Sequence, residues 1–278
     1  MLELLPARRA IKNQGFSPCC LTIAGSDSGG NAGVQADLRT FHAYGLHGCT
    51  VFTALTAQNP NCVSAIHSVP ADFVAAQLDA ILGTYSVAAL KTGMLGSIEV
   101  VEAIGERLLN YPDINKVVDP VMIATSGARL ILQETVSALK EILFPIVDII
   151  TPNIPEAEIL ANCEIKSEND VCEVARRLNG QYGCKVLVKG GHNKCHSAKD
   201  IFFDGKDFFA YELEWIGNAI STHGTGCTLA AALTANLALG HDIYHAIERA
   251  KNHTHNAIAT SYLVGENCGV LGFGNKDR

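Results

Sequence analysis

Ser221-Thr222-His223-Gly224-Thr225-Gly226-Cys227-Thr228-Leu229 sets glycines directly ahead of an apolar helical run. A helix N-terminus leaves backbone N–H groups unpaired, and glycines in front let an anion approach them. A cysteine in that first turn sits in the same positive field, which is expected to lower its pKa and favour the thiolate. The plain alternative is a capped helix that carries a small buried cysteine. No Lys or Arg occurs between Lys206 and Arg249, so backbone amides of Gly224 to Cys227 must supply the local positive potential. The same gap excludes a Cys-x5-Arg phosphatase loop, because the arginine position is Leu233.

A second glycine-rich turn, Ala24-Gly25-Ser26-Asp27-Ser28-Gly29-Gly30-Asn31-Ala32-Gly33, follows an apolar strand and precedes a helix. It fits neither GxGxxG nor GxxxxGK[ST], which disfavours a dinucleotide-binding dehydrogenase and a P-loop enzyme. Alone, it could be a tight turn without a ligand. Together the two turns read as a small-molecule kinase site, since phosphoryl transfer needs positioning and stabilisation of spread negative charge. Asn153 and Glu156, three apart at a helix start, can face one metal-bound water shell or simply cap the helix. Asp119, before Pro120, could join that shell. Lys189, before Gly190-Gly191, is placed to touch a phosphate oxygen. His241 and His245 are four apart, but HExxH is missing, and a partly exposed helix face explains them without zinc.

These residues need a framework. The 278-residue chain is 48% hydrophobic and 18% charged, enough for a well-cored globular protein. A net charge of −7 and a pI near 5.8 argue against a general nucleic-acid binder. Ten cysteines form no CxxC pair, and the first twenty residues lack an apolar secretory core, so free thiols in the cytoplasm are expected. No run reaches the length of a membrane span. Strand-length apolar runs at 20–24, 51–55, 89–91, 116–118, 148–150 and 185–188 alternate with helical patterns. The helices are expected at 33–44, 70–81, 98–109, 132–143, 154–160, 171–178, 225–239 and 243–262. Asp204-Gly205 signals a hairpin within 200–212. Such repetition implies a mainly parallel sheet covered on both faces, with ligands at the carboxyl ends of the strands. One domain over 19–278 is expected, with 1–18 as a loose extension.

Eight segments in order carry a resemblance: Ala24-Gly25-Ser26-Asp27, Ala32-Gly33-Val34-Gln35-Ala36-Asp37, Thr53-Ala54-Leu55-Thr56-Ala57-Gln58-Asn59, Lys91-Thr92-Gly93-Met94-Leu95, Val118-Asp119-Pro120-Val121-Met122, Thr151-Pro152-Asn153-Ile154-Pro155-Glu156-Ala157, Val188-Lys189-Gly190-Gly191-His192 and His223-Gly224-Thr225-Gly226-Cys227-Thr228-Leu229. From about residue 19 to 262 the chain resembles the hydroxymethylpyrimidine/phosphomethylpyrimidine kinases of thiamine biosynthesis, within the ribokinase-like superfamily. The resemblance implies a three-layer α/β/α fold, ATP and magnesium as cofactors, an aminopyrimidine alcohol as substrate and a homodimer. It implies that Cys227, with Gly224, Thr225 and Gly226, forms the catalytic turn, Cys227 accepting the substrate hydroxyl proton. His223 is either a second proton handler or a turn residue. Gln58 is the residue expected to read the aminopyrimidine, because an amide matches a neighbouring donor and acceptor bidentately, as it does on adenine. Asp37, Gly25, Met94 and Val121 are implied walls of the pyrimidine pocket. Asn153 and Glu156 match the superfamily's magnesium motif, with Asp119 and Lys189 on the nucleotide side. Thr92 stands where the family usually has Ile, and the tail lacks the family's closing Gly-Pro stretch. A pyridoxal kinase on the same scaffold, or a non-catalytic pyrimidine sensor, are the competing readings.

Overall fold

The computed structural model describes residues 17–60, 62–122, 132–190 and 197–273. Nine strands form one sheet in the order β3-β2-β1-β4-β5-β6-β7-β8-β9. They are β1 (Cys19–Asp27), β2 (His47–Asn59), β3 (Cys62–Ser68), β4 (Val87–Thr92), β5 (Asn115–Val118), β6 (Ile149–Ile150), β7 (Lys185–Val188), β8 (Ser197–Phe203) and β9 (Phe208–Glu214). The six strands from β2 to β7 run parallel, while β3, β8 and β9 are antiparallel additions at the two edges.

Adjacent side chains in a strand point to opposite faces, and here both faces are buried. Leu90, Val118, Ile150 and Val186 enter one core; Ala89, Val117, Ile149 and Leu187, each one residue away, enter the other. The first core is closed by α2 (Ala71–Leu82), α3 (Ile98–Leu108), α4 (Gln133–Ala138), α5 (Ile154–Ala161) and α6 (Glu168–Tyr182). The second face carries α1 (Gly33–Ala43), α7 (Thr225–Ala238) and α8 (Ile243–Ala259). This is the expected three-layer α/β/α arrangement.

Helix α7 is the central one. Its residues from Thr228 to Leu237 are all buried, as the absence of a polar face in the sequence demands. Four alanines let it lie close to α1, α8 and strands β1, β4 and β5. The chain leaves β1 outward to β2 and returns on the other side of β1 as β4. That reversal opens a crevice at the carboxyl ends of the two strands, and α7 points its N-terminus into it.

Several elements differ from their sequence pattern. β1 continues through Gly25 to Asp27 past an irregularity at Ala24, so the first glycine turn begins as strand. β2 runs on to Asn59 and folds back as β3, whose largely exposed face gives no apolar alternation to detect. The helix expected over 132–143 is α4 followed by a π-type turn at Leu139–Leu143 and a 3-10 turn containing Pro145. α6 is longer than its apolar pattern, because Ser167 and Asp170 form a reciprocal cap and Gly183 closes it at φ 77°. The last helix stops at Ala259, and a small hairpin follows, β10 (Tyr262–Gly265) with β11 (Cys268–Val270).

Candidate active site

The crevice is a cleft of about 760 Å³ into which both glycine turns project. Asp27 organises the first turn. One carboxylate oxygen accepts the Gly29 N–H at 2.8 Å, and the other accepts those of Asn31 and Ala32 at 2.9 and 2.8 Å. Burial raises the Asp27 carboxyl, but His223 and these three N–H groups together hold it below the usual range. His223 Nε2 lies 3.7 Å from Asp27, so this histidine links the two turns. The link is close enough to demand glycine. A Cβ on Gly224, where φ is 87°, would lie 1.8 Å from the Asn31 carbonyl oxygen.

Gly224 caps α7, and Thr225 N–H is tied back to the Thr222 carbonyl at 3.4 Å. The Gly226 and Cys227 N–H groups belong to the first turn, where no carbonyl of the helix can take them. The space over Gly226 opens 3.4 Å from Lys189 Nζ and 3.8 Å from Asp119 Oδ2. Lys189 and Asp119 form an ion pair of 2.6 Å, and Thr151 donates to the same carboxylate oxygen at 3.2 Å. Asn153 and Glu156 cap α5 reciprocally, each side chain accepting the other's backbone N–H at 2.9 Å. Burial pushes the Glu156 carboxyl up to about 7; Lys189 pulls against this, and Asp119 adds to it. Burial alone would lower Lys189, but Asp119 and Glu156 hold its ammonium above its ordinary value.

Two expectations are corrected here. Cys227 stands at the helix mouth, yet burial pushes its thiol up to about 11. Lys91 and the Gly33 N–H pull it down, while Asp37 and Asp119 push it further up. Desolvation outweighs the positive helix end, so the resting form is the thiol rather than the thiolate. Asp37 does not wall the cleft. It is fully buried behind it, bound by Lys91 Nζ at 2.9 Å and by Thr22 Oγ1 at 2.6 Å. A bare carboxylate at that depth would be prohibitive, and Lys91, equally buried, is its partner.

The remaining candidates are gathered around one cavity. Gly25, Gln58, Met94 and Val121 line it, and Met94 Cε lies 2.6 Å from where a Gly25 Cβ would be. Asp119, Asn153, Glu156 and Lys189 line it too, with Gly224, Thr225, Gly226 and Cys227, and Gly226 sits beside Asp119 and Lys189. His192 lies outside the described residues. Thr92 is 1% exposed, and among the described residues its hydroxyl has no hydrogen-bond partner, as befits a position suited to an aliphatic side chain. Sequence reasoning missed Lys91, and it missed a buried pair further along the cleft. Lys251 Nζ lies 2.7 Å from Asp200, whose other oxygen accepts the Gly190 N–H at 3.0 Å. Residues 51 apart, on the antiparallel strand β8 and a late helix, leave no spacing signal.

Helix-end donors, a lysine, and two carboxylates at the switch point of a three-layer α/β/α sheet define a ribokinase-like small-molecule kinase. Residues 27–272 match the family model for phosphomethylpyrimidine kinase, and the chain belongs to that family. It is 48% identical over 251 residues to the thiamine biosynthesis bifunctional protein ThiED of Geobacter sulfurreducens, covering 90% of this chain but about half (51%) of that protein. It is 42% identical over 254 residues to the hydroxymethylpyrimidine/phosphomethylpyrimidine kinase of Haemophilus influenzae, covering 90% of this chain and 94% of the relative. Among solved structures, an ADP complex of a Bacillus subtilis pyridoxal kinase superposes with a TM-score of 0.85 at 35% identity, covering 92% and 97% of the two chains. A phosphomethylpyrimidine kinase from Clostridium difficile gives 0.77 at 39% identity, covering 87% and 99%. The chain is thus a kinase of the thiamine-biosynthesis family.

Proposed function

We propose that the chain transfers the γ-phosphoryl group of ATP to the hydroxymethyl group of 4-amino-5-hydroxymethyl-2-methylpyrimidine, and then phosphorylates the resulting monophosphate to the diphosphate. The observation that carries this reading is that Cys227, the α7 N-terminus, Gln58 and Lys189 all line one cleft. The substrate oxygen forms the new bond to phosphorus, the bond from phosphorus to ADP breaks, and the hydroxyl proton passes to Cys227 in the minor thiolate form, reached once the resting thiol has released its own proton to solvent. The Gly226 and Cys227 N–H groups and Lys189 stabilise charge on the transferring group. Gln58 pairs with the ring's amino group and adjacent nitrogen.

The donor set also suits magnesium, a hard cation that prefers oxygen and keeps much of its water. Asn153 Oδ1 is committed to its cap, and Glu156 accepts backbone N–H groups of Asn153 and Met122, so both would hold the ion through water, with Asp119 beside them. The ion, when bound, would neutralise phosphate charge. A cytoplasmic location is supported by the free thiols among the described residues. A homodimer is the assembly the family resemblance implies, and sedimentation of the wild-type chain tests it.

The deciding experiment measures ATP consumption and kcat/KM for the pyrimidine alcohol and for pyridoxal side by side. A clear preference for the pyrimidine is expected. A preference for pyridoxal would reassign the substrate, and no turnover of either would leave a sensor.

A further inference from the structure

Gln58 is held from two directions. Its backbone is pinned by Ser28, whose hydroxyl donates to the Gln58 carbonyl and accepts the Gln58 N–H, both at 2.8 Å. Its side-chain amide is placed with Oε1 3.2 Å from Thr56 Oγ1, which itself lies 2.7 Å from the Ser26 carbonyl oxygen. A hydroxyl carries one proton, and a carbonyl oxygen can only accept. The short contact to Ser26 therefore takes the Thr56 proton. What remains for Gln58 is a hydroxyl lone pair, which only the NH2 end of an amide can use. The two ends of an amide have nearly the same shape, so the hydrogen-bond network decides which way it faces.

We propose that Thr56 is a specificity-determining residue that sets the orientation of the Gln58 amide toward the substrate ring. One amide proton is anchored on Thr56. The amide oxygen and the second proton then form the edge presented to the cleft, matched to a ring bearing an amino group beside a ring-nitrogen acceptor. A ring whose hydroxyl-bearing carbon does not adjoin a ring nitrogen, as in pyridoxal, offers no acceptor for the second amide proton and meets only half of that edge. This inference rests on Gln58 as the reader of the substrate.

The test is a double-mutant cycle on kcat/KM for the aminopyrimidine alcohol and for pyridoxal, using Thr56→Val, Thr56→Ser, Gln58→Met and the Thr56→Val/Gln58→Met pair. Thr56→Val should lower kcat/KM for the pyrimidine about 10-fold through KM, with kcat little changed, and should shrink the preference over pyridoxal. Thr56→Ser, which keeps the hydroxyl, should restore both. On a Gln58→Met background, Thr56→Val should have no further effect. Unchanged preference in Thr56→Val alongside a lost preference in Gln58→Met overturns the role of Thr56 alone. Unchanged preference in Gln58→Met overturns the reading of Gln58, and this inference with it. An equal loss from Thr56→Val on both backgrounds reduces Thr56 to a structural residue.

Discussion

Cys227 faces two kinds of nucleophile in the proposed reaction sequence. The alcohol must lose a proton as it attacks, whereas the oxygens of a phosphate monoester are largely deprotonated at neutral pH, with a second pKa of about 6. Cys227→Ala is therefore expected to lower kcat/KM for the alcohol by roughly 10² to 10⁴ and to affect the monophosphate far less. Equal losses on the two substrates would assign Cys227 to the cradle rather than to the proton. Because burial sets the thiol at about 11, the reactive thiolate fraction grows with pH throughout the neutral range. Alkylation of Cys227, followed by peptide mass spectrometry, should accelerate about tenfold per pH unit between pH 7 and 10; a plateau below pH 8 would contradict it. Glu156 makes a separate prediction. Its carboxyl titrates near 7 in the folded protein instead of the ordinary 4.5, so folding favours the protonated form. The stability this contributes is complete below pH 4.5 and is lost as pH rises through 7. Glu156→Gln keeps the neutral form, and in chelator-treated protein its urea midpoint should gain on the wild type across that window. A constant difference would show that burial does not govern this carboxyl.

At the scale of elements, the decisive object is the α7 N-terminus pressed against the first glycine turn. Gly224→Ala would force a left-handed conformation on a residue with a Cβ and drive that atom into the Asn31 carbonyl. The conformational cost alone is about 1–2 kcal/mol, before any displacement of the turn. This variant should lose activity on the alcohol and the monophosphate alike, unlike Cys227→Ala, because it disturbs the donors common to both transfers. Thermal melts and the two assays together check it. Both glycine turns and the α5 cap were legible in the sequence, since a positive φ and a reciprocal cap are settled by neighbouring residues, whereas the α6 cap lies ahead of the apolar pattern that marked that helix. β3 was not, because an exposed edge strand gains its hydrogen bonds from β2 rather than from an apolar face.

For the whole molecule, the Lys91–Asp37 pair joins β4 to α1 behind the crevice where strand order reverses. Both side chains are without solvent contact, so Lys91→Met strands a buried carboxylate and should cost about 3–5 kcal/mol in denaturant unfolding. Lys91→Met/Asp37→Leu removes both charges and should recover most of that loss. If the double variant is no more stable than the single one, the pair is not what stabilises this contact.

The sequence by itself determined the alternation of strands and helices, the glycine turns, the α5 cap, and the kinase family to which their order belongs. These follow from backbone dihedrals, side-chain periodicity and hydrogen bonds between residues a few positions apart. Only the tertiary structure decided that Asp37 lies behind the cleft with Lys91, that Asp200 and Lys251 meet beside Gly190, and that Cys227 rests as a thiol. Charge pairing and desolvation depend on which distant segments exclude water from a group. No spacing along the chain records that.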